Sequence, residues 1–222
     1  YNFFYLGIKY LVSSNIFKFS NIKSLNIHGS LLPKYKGRGP LVRSIMNGDK
    51  FTGITVHEID KSCDGGRILL QKKIKVPKHS TGWDMLKEFE KLYPKIVVKS
   101  IKLILTKKFK LKNQEKVNIV YGSINEKERT IDWNVDNTSI YNQIRAFSSP
   151  FNGTITYLNK KKIFVNKAKI IKTKLDKNIK NGTVLKILKK TLHVKTNFGC
   201  ISISLMNFND YKSINLNDVF CS

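Results

Sequence analysis

The spacing of apolar residues changes character twice along the chain. Up to about residue 80, short apolar runs alternate with Gly, Pro and Asn punctuation. The runs Phe3–Tyr5, Ser24–Ile27, Gly53–Ile59 and Ile68–Val76 predict strands, and Leu41 to Asn47 predicts a short helix ended by Gly48. From Ser80 the period becomes helical: Leu86, Phe89, Tyr93, Val97, Ile101 and Ile104 share one face, so a helix is expected over most of Thr81 to Leu105. Pro94 should kink or interrupt it. The aromatic residues on that face are expected in the core.

Residues 107–131 are rich in Lys and poor in long apolar runs, which predicts a linker with some extended structure. A helix over Ser139 to Phe147 follows. Then come five strand-like runs, Thr154–Leu158, Ile163–Ala168, Thr183–Leu188, Leu192–Thr196 and Cys200–Leu205, with turns at Asn159-Lys160 and Asn197–Gly199. Short strands at this spacing predict a small β-barrel of the OB-like kind. The expected domains are 1–106, a linker 107–131, and 132–222. No internal repeat is visible.

Composition adds one strong feature. The 222 residues carry 41 Lys and Arg against 15 Asp and Glu, a formal charge of +26. A Lys-, Asn- and Ile-rich composition explains the lysines but not the scarcity of acids, so a polyanionic partner is indicated. Residues 156–195 hold 13 Lys and one acid, Asp176, and few interleaved aromatic residues. That pattern suits tracking of a phosphate backbone more than base stacking. Lys160, Lys161, Lys162, Lys186, Lys189 and Lys190 are the expected contacts. No apolar run reaches the ~20 residues that span a bilayer. Cys63, Cys200 and Cys221 are too far apart in sequence for metal spacing and suit a reducing compartment. No metal site is expected.

The candidate chemistry begins at the segment SLNIHGSLLPKYKGRGP. Asn26 and His28 alternate on a strand, so both project to one face at its carboxyl end, where ligands bind in open α/β sheets. The loop that follows can offer backbone groups to a flat heterocycle. Downstream, HEID precedes CDGG, which puts Asp64 in a tight glycine-containing loop. A carboxylate beside an imidazole would orient the ring and raise its pKa. Each piece alone is weak.

Together, NIHGSLLPKYKGRGP, TGITVHEID and CDGGRIL resemble the family of formyltransferases that use 10-formyltetrahydrofolate. The stretch IDWNVDNTSIYNQIRAFSSPFNGTITYLNKKKIFVNKAKII resembles the start of that family's C-terminal domain. The resemblance implies an α/β fold: a partial Rossmann-like sheet domain followed by the OB-like barrel. It implies Asn26, His28 and Asp64 as the catalytic residues. Asn26 and protonated His28 would donate to the oxyanion, and Asp64 would keep His28 charged and relay a proton. His57 is expected to be structural. The folate would lie against Tyr10, Leu11 and Val12, the loop Ser30, Leu31, Leu32 and Pro33, and Asp60, with Arg38 a further contact. The family also implies roughly 80 residues ahead of this chain and a basic extension after it. Methionyl-tRNA is the expected acceptor, with a monomer in a bacterial-type cytoplasm or an organelle. A nucleotide-linked amino sugar is the alternative, favoured by LPKYKGRGPL and YGSINEKERTIDW. The third reading is an inactive basic RNA-binding paralogue.

Overall fold

A computed structural model of the chain describes the backbone of residues 4–6 and, in full, residues 24–173 and 178–222. Tyr10, Leu11 and Val12 lie outside the described residues. The chain divides into two compact units. The first comprises the described residues up to 44, then 50–77 and 84–123; the second comprises 45–49, 78–83 and 124–222.

The first unit is built on a four-stranded sheet, β1 (Phe4–Leu6), β2 (Leu25–His28), β4 (Phe51–Glu58) and β5 (Ile68–Lys75), in that order. β1 and β2 are parallel; β2, β4 and β5 run antiparallel to one another. β4 is buried along seven of its eight residues, which matches its near-continuous apolar and small composition. Helix α1 (Pro40–Met46) is followed by Gly48 at φ +68°, a left-handed position that suits glycine at a helix end. Helix α2 (Gly82–Leu105) runs unbroken through Pro94. It buries Met85, Phe89, Ile96 and Ser100, residues on one helical face.

Residues 107–123 belong with the first unit, which differs from the expected linker. Lys112 bridges Ile68 through two backbone hydrogen bonds of 2.8 and 2.9 Å. The two-residue strands β3 (Lys36–Gly37) and β6 (Val120–Tyr121) pair in parallel. Backbone hydrogen bonds need no apolar side chain, so a Lys-rich sequence conceals such pairing.

In the second unit, α3 (Glu126–Arg129) precedes α4 (Asn137–Ala146). α4 starts two residues before the expected Ser139, because Asp136 caps it by accepting from Thr138 N and Ser139 N. Five strands follow: β7 (Thr154–Leu158), β8 (Lys161–Ile171), β9 (Val184–Leu188), β10 (Thr191–Thr196) and β11 (Gly199–Leu205), in the order β7-β8-β11-β10-β9, all antiparallel. Asn159 and Lys160 both have positive φ, the two-residue turn that favours a hairpin. Residues 217–221 join the two sheet edges. Cys221 exchanges backbone hydrogen bonds with Tyr157, while Val184 N donates to Asp218 O and Phe220 N to Gly182 O. The sheet thus closes into a barrel, filled by Ile163, Val165, Val184, Leu192, Val194, Ile201 and Ile203. Trp133 of the IDW stretch stacks on Phe220 at 5.8 Å and donates Nε1–H to Thr156 Oγ1 at 3.0 Å.

Candidate active site

Asn26 and His57 are register partners on the antiparallel strands β2 and β4, so their side chains share a face. Asp64 reaches that face from the loop after β4. Its backbone is left-handed, φ +50°, an uncommon conformation that its surroundings hold in place. Gln114 Nε2 donates to Asp64 O at 2.8 Å and to Gly66 O at 2.7 Å. Arg67 closes the loop base with two hydrogen bonds to the Glu58 carboxylate, at 2.7 and 3.2 Å. A Cβ on Gly66 would stand 1.9 Å from Glu58 O, so only glycine fits there.

The expected trio is brought together. Asn26 Nδ2 donates to Asp64 Oδ1 at 3.3 Å. His28 Nδ1 lies 3.5 Å from Asp64 Oδ2, and Gly37 N–H donates to the same oxygen at 2.8 Å. Burial pushes the Asp64 carboxyl upward. The His57 hydrogen bond, the charge of His28 and the Gly37 N–H outweigh it and pull the group down to about 2. Beside it, Cys63 Sγ lies 3.8 Å from Oδ2; burial, then Asp64, pushes that thiol up, so it acts as a protonated donor.

One expectation is corrected here. Asp64 does not hold His28 in its charged form. Burial lowers the His28 pKa, and Asp64 and the Tyr35 carbonyl oppose that shift without reversing it. The ring donates Nε2–H to Tyr35 O at 2.9 Å. His57, expected to be structural, lies beside the trio. Its Nε2 sits 3.2 Å from Asn26 Nδ2 and 3.5 Å from Asp64 Oδ1. The signal for His57 was its position opposite Asn26, which requires the strand register.

Asn26, His28, Asp64 and Arg38 line a cavity of about 430 Å³, with Leu86, Phe89 and Tyr93 of α2 forming an apolar wall. Phe89 and Tyr93 were expected in the core; Phe89 is buried and also borders the cavity. Arg38 Nη1 donates to Ser123 Oγ at 2.7 Å. Ser30, Leu31, Leu32, Pro33 and Asp60 do not line this cavity. Ser30 O accepts from Thr55 Oγ1 at 2.6 Å, Leu32 N donates to the same hydroxyl, and Leu32 O accepts from Gln71. Leu31 covers Gly53 of β4. Asp60 is exposed and caps its own loop by accepting from Ser62 N at 2.8 Å.

The six expected lysines are all exposed. Because every pairing in the barrel is antiparallel, the β7–β8 and β9–β10 turns emerge at one end of the sheet. Lys160, Lys161, Lys162, Lys189 and Lys190 therefore share that end; Lys186 lies mid-strand on β9. Lys161 pairs with Asp210 at 2.8 Å and Lys162 with Glu126 at 2.6 Å. Among the described residues, no group of three or more His, Cys, Asp or Glu could hold a metal, and no helix is long and apolar enough to cross a membrane.

The "Formyl transferase" family model matches residues 7–101, and the "Formyl transferase, C-terminal domain" model matches residues 123–222. The chain belongs to the formyltransferase family. Among curated relatives of this chain, the bifunctional polymyxin resistance protein ArnA of Wigglesworthia glossinidia brevipalpis is 36% identical over 171 residues, 77% of this chain and 26% of that protein. The methionyl-tRNA formyltransferase of Mycoplasma capricolum is 32% identical over 188 residues, 83% of this chain and 59% of the relative. The chain thus spans less than two thirds of either relative. Among solved structures, WlaRD, a sugar 3N-formyl transferase crystallised with dTDP and 5-N-formyl-THF, superposes with a TM-score of 0.71 at 26% identity, covering 93% of this chain and 75% of that one.

Proposed function

We propose that this protein transfers the formyl group of 10-formyltetrahydrofolate to the amino group of methionyl-tRNA. The observation that carries the transfer reading is the meeting of Asn26, His28 and Asp64 at one cavity, inside the segment matched by the formyl transferase model. The acceptor amine attacks the formyl carbon with its lone pair, forming the new C–N bond and placing negative charge on the formyl oxygen. That oxyanion is a stronger acceptor than the Tyr35 carbonyl and draws the His28 N–H to itself. One such donor is worth ~100- to 1,000-fold in rate. Asp64, ionised at neutral pH, takes the proton that the amine nitrogen sheds and passes it to N10. The bond between N10 and the formyl carbon breaks, and tetrahydrofolate leaves with that proton.

The end of the barrel bearing Lys160, Lys161, Lys162, Lys189 and Lys190 favours a tRNA acceptor, as do the curated methionyl-tRNA formyltransferases. A second reading, transfer to a nucleotide-linked amino sugar, is favoured by the ArnA relative and the WlaRD fold. The test offers the full-length gene product 10-formyltetrahydrofolate with methionyl-tRNA, and separately with nucleotide-linked amino sugars. Formyl-methionyl-tRNA is the expected product; formylation of the sugar alone defeats the tRNA reading.

A further inference from the structure

The chain leaves β11 at Leu205, at the end of the barrel that also carries the β7–β8 and β9–β10 turns. Leu205 pairs with Val165 of β8, and Ile203 with Leu192 of β10. A 3-10 turn, Phe208–Ser213, follows at once. Two side chains staple it between those turns. Tyr211 accepts from Leu205 N at 2.8 Å and donates its hydroxyl to Lys190 O at 2.7 Å. Asp210, itself buried, pairs with Lys161 Nζ at 2.8 Å. Tyr211 also packs against the barrel core. Phe208 rests on this anchored ring, with centroids 5.9 Å apart and planes tilted by 44°, yet it is 56% exposed. A lone apolar side chain at a surface means little. Phe208 is instead held by a fixed neighbour, in a segment flanked by Lys160, Lys161 and Lys162 on one turn and Lys189 and Lys190 on the other, all exposed. Residues 156–195 contain few aromatic residues; the fold brings this one in from beyond them.

We propose that Phe208 is a stacking platform for an unpaired base of the RNA acceptor, set between two turns that hold its phosphates. The platform rests on the tRNA reading above and adds a base contact to the phosphate tracking expected of the barrel. Lysines attract any phosphate chain, duplex or single strand. An aromatic face discriminates between them. Bases in a duplex are already stacked on one another, whereas an unpaired base has a free π-face and gains by covering the ring. Every base has such a face, so the contact selects single-stranded RNA without selecting a sequence. The anchoring of Tyr211 to the barrel sets the platform in advance, so less side-chain freedom is lost on binding.

The test titrates the full-length protein with methionyl-tRNA, with a single-stranded ribo-oligonucleotide and with a blunt RNA duplex of the same length. Phe208→Ala should weaken binding of the first two about 5- to 150-fold, the worth of one stacked base, and leave the duplex unchanged. The slope of log affinity against log salt should stay as in the native protein, since no phosphate contact is lost. Phe208→Trp should bind at least as tightly as the native protein. Phe208→Leu, apolar but without a π-face, should behave as Phe208→Ala. The side chain is more than half exposed, so these changes spare the barrel core. Native affinity for the single strand in Phe208→Ala, equal weakening of single strand and duplex, or full binding by Phe208→Leu overturns the proposal. Loss of self-association in Phe208→Ala with RNA affinity intact assigns the ring to a second copy of the chain and overturns it as well. The tRNA reading fails separately: a native protein that holds the single strand through Phe208 yet formylates only an amino sugar loses that reading and keeps the platform.

Discussion

Asp64 is ionised because its surroundings offer it donors and nearby positive charge that outweigh the loss of water on burial. Its folded pKa of about 2 lies below the ordinary 3.8, so the carboxylate form is favoured by folding. The resulting stability is complete above pH 3.8 and lost as pH falls through about 2. It amounts to about 2 kcal/mol. The stability difference between the native protein and Asp64→Asn, followed by chemical denaturation, should shrink over that window. Formyl transfer by Asp64→Asn should fall about 100- to 10,000-fold, the range for loss of a proton-transfer group. His28 gives the opposite experiment. Its folded pKa lies below 6.5, so folding favours the neutral ring, fully above 6.5 and progressively less as the solution is acidified. Asp64 pulls that value upward through its charge, so Asp64→Asn should lower the His28 pKa further, read by NMR titration of the ring. A rise would mean that His28 is governed by other groups. The motifs that carry the family resemblance singled out Asn26, His28 and Asp64, and the fold brings these three together at one cavity. The closeness of His57 to the trio was not legible, because it depends on β2–β4 register. The protonation of His28 was misread for a related reason. Sequence shows that a carboxylate is near, but not that the ring is only 6% exposed.

At the scale of elements, the site depends on a segment with no catalytic look. Gln114 lies in the Lys-rich stretch after α2, yet its side chain spans two carbonyls of the Asp64 loop. Replacing Gln114 with Leu removes the partner of both part-buried carbonyls, which costs about 1–3 kcal/mol for each one that water cannot reach. Turnover should fall with the stability of the loop, while the melting of the barrel unit is spared; hydrogen exchange resolved by segment checks this. Loss of protection confined to the barrel would refute it. Gly37 makes the same point from the other side of the site. It has φ +94°, and a Cβ there would lie 2.2 Å from Tyr121 O. Gly37→Ala should therefore break the β3–β6 pair and weaken the N–H that it presents to Asp64. Strands and helices with strong apolar period were readable: β4, β5, α2 and the barrel strands fall within a few residues of expectation. The pairing of 112 and 120–121 was not, since main-chain hydrogen bonds leave no trace in side-chain pattern. The reach of α2 into the cavity was hidden too, because a wall of a binding site and a core face have the same period.

For the whole molecule, a formal charge of +26 bears on the acceptor more than on the fold. The antiparallel barrel gathers two basic turns at one end, although Lys160 and Lys190 are 30 residues apart in sequence. Lys161 and Lys162 are already engaged with Asp210 and Glu126, so Lys160, Lys189 and Lys190 are the better phosphate ligands. Changing these three to Ala should weaken tRNA binding and reduce the slope of log affinity against log salt by about one for each phosphate no longer neutralised. Affinity for the folate should not move, since the cavity lies wholly within the first unit. A nucleotide-linked amino sugar offers only a diphosphate to such a surface, so its formylation would be nearly indifferent to the same three changes. Binding titrations across a salt series, paired with turnover on both acceptors, therefore separate the readings through the charge of the barrel alone. If tRNA affinity and its salt slope are unaltered in the triple variant, the basic end of the barrel is a solvated surface, and the case for tRNA falls back on kinship with the methionyl-tRNA enzymes.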